Sequence, residues 1–330
     1  MSVTNHATVL VSDRNLIVPT AQVALQLAHA GRDLTDVIIV TGGLGAAEFE
    51  MLRDSLAPHG VTVLDSSREI TALLNEFDFG DNHYTPTSLA RLLLDDILPS
   101  RYEHILYFDG DTYVAGDLGD LFRLRVPPGK IAAGLDSLFI HLEGSSQFAE
   151  KLRTYRRKHS TLGPDNYFNA GILAADRATW KTIGPKALEF YRDRYEDCIF
   201  HDQSALNVIC ENAVHWISPS YNFSTDFRLM GFGLYVKPKV FHFSGASKPW
   251  NSRVNPWPIH IHGVYKTLLS AHQGLTPFVT TPDPEQNRKL RNRLIAHIIH
   301  DAPGLKKPAR LLEKHAYFRD YLQKHQFAAA

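Results

Sequence analysis

Cysteine is nearly absent from this chain. Cys198 and Cys210 are the only two among 330 residues. Two thiols cannot build the disulfide framework of a small secreted domain, so a reducing cytoplasmic setting is expected. Long apolar runs are missing as well: no stretch approaches the ~18 consecutive apolar residues of a spanning helix. The opening Met-Ser-Val-Thr-Asn-His has neither the basic start nor the apolar run of a signal peptide. Internal repeats and low-complexity tracts are also lacking, which excludes solenoids and disordered linkers. Net charge is zero, with 44% hydrophobic and 21% charged residues. An ordinary folded chain is therefore expected, without the basic surplus of a nucleic-acid binder.

The charge that is present is unevenly placed. From Asn287 to Ala330 ten Lys/Arg stand against Asp301, Glu313 and Asp320, a surplus of +7 balanced by −7 over the preceding body. Such a tail asks for an anionic partner. An anionic membrane surface or lipid-linked acceptor is one candidate. A helical face packed on the chain's own body is the other.

Short β-rich runs alternate with helical patterns through the first half. Strands are expected over Ala7–Ser12, Asp36–Thr41, Val61–Leu64 and His104–Phe108, and helices over Pro19–Ala30, Ala46–Leu56 and Ser88–Leu98. Further on, Ile131–Gly134 and Phe168–Ala175 read as strands, Phe148–Arg157 and Asp176–Tyr195 as helices. Two basic amphipathic helices are expected over Arg288–His300 and Ala309–His325. The pattern predicts an α/β fold with a mostly parallel central sheet covered on both faces, binding its ligand beyond the carboxyl ends of the strands. The catalytic domain is expected to occupy residues 1–265, followed by a basic helical extension over 266–330.

Phe108-Asp-Gly-Asp-Thr-Tyr-Val114 leaves the fourth strand with carboxylates at Asp109 and Asp111. Two such groups can aim at one hard divalent ion, and Gly110 lets an anionic ligand approach the backbone. Alone, the pattern also suits a turn that caps a strand. Val240-Phe-His-Phe-Ser-Gly-Ala-Ser-Lys-Pro-Trp250 adds to it. His242 can supply a nitrogen ligand, Gly245 a tight turn, and Lys248 a charge for a diphosphate. An imidazole beside two carboxylates favours Mn²⁺ over Mg²⁺.

Taken in order, these segments resemble the family 8 retaining glycosyltransferases, the group containing glycogenin and bacterial lipooligosaccharide α-galactosyltransferases. Leu106-Tyr-Phe-Asp-Gly-Asp-Thr-Tyr-Val-Ala-Gly-Asp-Leu118 is similar to the family's metal-binding segment, Tyr167-Phe-Asn-Ala-Gly-Ile-Leu173 to its sugar-contacting strand, and His201-Asp-Gln-Ser-Ala-Leu-Asn207 to its Asp-Gln segment. His242 to Trp250 matches its His-x-x-Gly-x-x-Lys-Pro-Trp motif. The bacterial branch is nearer, judged by Gly116-Asp-Leu118 and the basic tail.

The resemblance implies a GT-A fold and a UDP-hexose donor carrying galactose or glucose. It also implies a saccharide, glycolipid or protein-linked glycan as acceptor, and an α-glycoside as product. By the same resemblance Asp109, Asp111 and His242 bind Mn²⁺ while Lys248 holds the UDP phosphates. Asp13 and Asn15 match positions near uridine, although Leu16 stands where an aromatic residue usually stacks on the base. Arg91 matches an arginine near the donor sugar. Asp136, Asn169, Asp202 and Gln203 match positions that hold donor hydroxyls or lie beside the anomeric carbon, with Asp202 and Gln203 the catalytic pair. The setting expected from the cysteine usage is the cytoplasm, and the basic tail leaves open a peripheral contact with the inner membrane face.

Three other readings compete. A haloacid-dehalogenase-like phosphatase also carries Asp-x-Asp-x-Thr after a strand, but leaves His242 to Trp250 unexplained. A non-catalytic UDP-sugar sensor would bind donor without turning it over. Thr41-Gly-Gly-Leu-Gly-Ala-Ala-Glu48 hints at a dinucleotide fingerprint, yet Glu48 stands where a small residue must pack. Asn222-Phe-Ser224 is formally a glycosylation sequon, unused in a cytoplasmic chain.

Overall fold

The computed structural model describes residues 4–76, 86–159, 166–245, 248–250, 257–280 and 308–327, with single positions between 285 and 295. Ten strands run through them: β1 His6–Ser12, β2 Asp36–Thr41, β3 Val61–Asp65, β4 His104–Asp109, β5 Thr112–Val114, β6 Ile131–Leu135, β7 Phe168–Asp176, β8 Val214–Ile217, β9 Phe223–Ser224 and β10 Val240–His242. Seven form one sheet in the order β3-β2-β1-β4-β7-β6-β8, and β5-β10-β9 form a second. In the large sheet only β7 runs antiparallel, pairing with β4 on one side and β6 on the other.

The central strands are apolar on both faces because both are covered. Val9, Val11, Ile105 and Tyr107 pack into one cluster, and Leu10, Leu106 and Phe108 into a second across the sheet. Helices Ile17–Ala30, Ala46–Leu56 and Arg177–Asp193 supply much of that cover. Cys198 and Cys210 are free and buried, with burial pushing both thiols up to about 12.

One element departs from its sequence pattern. Instead of a single α-helix over Ser88–Leu98, a 3₁₀ turn spans Pro86–Leu93 and a short α-helix Leu94–Ile97. Tertiary ties outweigh the leucine periodicity there. Arg91 reaches Asp202 and the Ala170 carbonyl, while a Cβ at Gly184 would lie 2.0 Å from the Leu92 carbonyl oxygen. The tighter winding accommodates both constraints.

The helix expected over Arg288–His300 lies mostly outside the described residues. The following one, Pro308–Lys324, docks on the body. Phe318, Tyr321 and Leu322 are buried beside Phe139, Phe227 and Phe232, and Phe232 stacks on Phe318 at 4.3 Å. Lys314 stands 3.5 Å from Glu143, and Arg310 donates to the Glu143 carbonyl at 2.9 Å. Part of the tail's basic charge is thus turned to the acidic body.

Candidate active site

Register brings the chemistry together. β4 releases the chain at Asp109, Gly110 turns it, and β5 carries it back as an antiparallel partner of β10. At Gly110 a Cβ would lie 2.0 Å from Thr20 Oγ1, which gives this glycine a packing reason independent of any ligand. His242 pairs with Thr112, and the Phe243 amide donates to the Asp111 carbonyl at 2.9 Å. His242 Nε2 therefore lies 3.4 Å from Asp111 and 3.8 Å from Asp109. One ligand atom from each of the three falls within 4.8 Å of the others.

Two carboxylates and an imidazole at this spacing fit a divalent cation of intermediate hardness. Beyond His242, Gly245 takes the left-handed conformation (φ 86°) expected of a turn, and Lys248 returns to within 2.5 Å of Asp111 Oδ2. The charges are coupled. Burial would raise the Asp111 carboxyl, but Lys248 and His242 overrule it and hold it well below the usual carboxylate range. Burial also sets Asp109, whose carboxyl stays raised despite Arg91. His242 is raised because the two carboxylates outweigh its burial.

A second group lies behind the first. Arg91 grips both oxygens of buried Asp202 and donates to Asp109 at 3.1 Å and to the Ala170 carbonyl at 3.2 Å. Tyr107 donates to Asp109 Oδ1 at 2.6 Å. His201, just before Asp202, is a non-glycine residue at φ 53°, a backbone strain of the kind that collects at functional sites.

The third group faces β7. The Ala170 amide donates to Gln203 Oε1 at 3.0 Å, which turns Gln203 Nε2 to Asp136 at 3.1 Å. Asn169 Nδ2 donates to the same Asp136 oxygen at 2.9 Å, and burial raises the Asp136 carboxyl. Asp13 and Asn15 lie at the carboxyl end of β1, the strand beside β4, with Asn15 exposed and Asp13 capping a 3₁₀ turn through the Asn15 and Leu16 amides.

Sequence reasoning misses three residues. Tyr107 reads only as a buried strand residue. Gly171 reads as part of a strand, yet a Cβ there would lie 2.4 Å from His242 Cε1. Asn222 presents itself as a sequon but is 1% exposed, so the folded chain has no carbohydrate acceptor there. Gly171→Ala is expected to displace the imidazole and lower divalent-cation affinity at least ~10-fold, with the far-UV circular dichroism preserved. Calorimetric titration of the variant checks this, and wild-type affinity would count against it.

Residues 12–253 match the family model described as glycosyl transferase family 8. The chain belongs to glycosyl transferase family 8. It is similar to general stress protein A of Bacillus subtilis, 25% identical over 231 residues that cover 65% of this chain and 76% of that one. It is also 26% identical over 182 residues to the lipopolysaccharide 1,3-galactosyltransferase of Salmonella typhimurium, of which it spans about half, 51%. Among solved structures, the galactosyltransferase LgtC, crystallised with donor and acceptor sugar analogues, superposes with a TM-score of 0.66 at 20% identity, covering 83% of this chain and all of that one. That likeness establishes the GT-A fold. Family membership disposes of the phosphatase and dinucleotide readings.

Proposed function

We propose that this family 8 glycosyltransferase moves galactose or glucose from UDP to an acceptor hydroxyl with retention, forming an α-glycoside in cell-surface polysaccharide or lipooligosaccharide synthesis. The convergence of Asp109, Asp111 and His242 beside Lys248, with Asp136, Asn169 and Gln203 alongside, carries this reading. A cation held by the first three would be Mn²⁺ in preference to Mg²⁺, stabilising charge on the departing diphosphate.

The side chains divide the remaining work. Lys248 meets phosphate charge, releasing Asp111 to its other partners. Asp136 and Asn169 accept and donate hydrogen bonds to donor hydroxyls, and Asp13 and Asn15 hold the uridine end. Asp202 has both oxygens engaged by Arg91, and Gln203 is an amide with its oxygen bonded to Ala170. Neither favours a covalent nucleophile of the kind retaining hydrolases use. A front-face route follows, in which the leaving phosphate oxygen accepts the acceptor's proton and Gln203 orients the sugar.

A panel of UDP-sugars with Mn²⁺, scored by UDP release without acceptor, tests the proposal. Release from none would favour the sensor. Gln203→Ala is expected to slow turnover yet leave measurable activity, whereas complete loss rescued by azide would point to a covalent intermediate.

The acceptor, whether free saccharide, glycolipid or protein-linked glycan, fits a site at the inner membrane face. No helix among the described residues is long and apolar enough to cross a bilayer. Contact through the tail is favoured by Leu312, 70% exposed on the basic helix Pro308–Lys324. Truncating the tail would uncover its aromatic cluster, so Leu312→Glu is the cleaner probe. This variant is expected to lose binding to vesicles containing phosphatidylglycerol at unchanged melting temperature; undiminished binding would refute the contact.

A further inference from the structure

Backbone amides make the orientation of one buried side chain unambiguous. The Gly171 N–H can only donate, and it meets Asn169 at 2.9 Å, which identifies the receiving atom as Oδ1. Asn222 approaches the same oxygen at 2.9 Å and must present Nδ2 to it. Its own Oδ1 is then turned to His242 Nδ1, 2.8 Å away. An amide oxygen has no proton to give, so the hydrogen in that contact belongs to the imidazole. Nδ1 is protonated, and in the neutral ring Nε2 keeps the free lone pair that faces Asp109 and Asp111.

We infer that Asn222 is a positioning residue which fixes the His242 tautomer for cation binding and links that site to the sugar pocket through Asn169. The link continues to Asp136, which accepts from Asn169 at 2.9 Å and from Gln203 at 3.1 Å. The surroundings are shaped for it. β6 and β7 slip register between Ala133 and Gly134, and a Cβ on Gly134 would lie 3.3 Å from that of Asn222. On the other side, glycine at 171 leaves room for the ring. The inference rests on the proposed cation site, where a ligating histidine is oriented by the partner of its other nitrogen.

Three variants separate this role from simple packing. Asn222→Leu removes both halves of the link, and Mn²⁺ affinity of the apoprotein is expected to fall ~10–100-fold in calorimetric titration. Asn222→Ala should show the same loss with a smaller side chain. Asn222→Asp keeps an acceptor for Nδ1–H but cannot donate to Asn169. Its Mn²⁺ affinity should therefore stay within ~3-fold of wild type, while UDP-hexose loses its advantage over UDP in binding. A merely structural role would weaken Mn²⁺ equally in all three.

Nitrogen-15 spectra of the wild-type imidazole, taken without metal where the ring is neutral, supply a readout independent of variant folding. Protonated Nδ1 with bare Nε2 is expected. The opposite tautomer, or wild-type Mn²⁺ affinity in Asn222→Leu, overturns the inference. If tautomer and affinity pattern hold while no UDP-sugar is turned over, the positioning role stands and the transferase reading falls. A wild-type chain that binds no Mn²⁺ overturns both.

Discussion

Asp111→Asn is expected to cut UDP release from the best donor at least ~10³-fold at saturating Mn²⁺. Asp111 is where the charges of the site meet: Lys248 lies 2.5 Å from one oxygen and His242 3.4 Å from the other. An amide at this position halves the anionic donor set and removes the counter-charge of Lys248, which also donates to the Phe243 carbonyl. Lewis-acid stabilisation of a leaving group is worth several kcal/mol, and ~4 kcal/mol corresponds to three orders of magnitude in rate. The isosteric change keeps shape and the backbone bond from Phe243, so the fold should persist. Activity within tenfold of wild type would remove the carboxylate from the mechanism.

The second large effect falls on stability. Arg91→Met should cost ~3–5 kcal/mol in denaturant unfolding, because it leaves the carboxylate of Asp202, 1% exposed, buried without its cation. Asp109 would lose a donor at the same stroke. Adding Asp202→Asn should recover part of the loss, since the double variant buries no unpaired charge, and the difference between the cycles measures the coupling. A single-variant cost below ~1 kcal/mol would mean that water reaches the pair and that Arg91 serves the donor alone.

The strands were legible because β1, β2 and β4 are buried on both faces and so read as unbroken apolar runs bounded by polar residues. Asp36–Thr41 and Ala46–Leu56 have the same bounds in sequence and structure. That Asp109, Asp111, His242 and Lys248 would lie together was legible for a different reason: ion chemistry restricts which residue types are candidates, and two of the motifs are compact. Arg91 could be named but not its winding, since the leucine spacing of Ser88–Leu98 says nothing of Gly184 pressing on a carbonyl. Asn222 was invisible. Its role comes from the direction of a side-chain amide, set by partners 20 and 53 residues away, and no local pattern encodes that direction. Gly171 was hidden similarly, being required by a ring that arrives from β10.

The small sheet that joins β5 to β10 also has a bearing on biosynthesis. The bond from Lys248 to Asp111 spans 137 residues of chain. A ribosome-bound fragment ending before β10 can complete much of the large sheet yet owns only half of the ion-binding pocket. Closing so long a loop is among the slower steps available to a polypeptide, and a cation arriving at both halves would act as a clasp upon it. Capture of the proposed cation and arrival at the native topology would then become one event, and chelation should loosen β10 before it disturbs the rest.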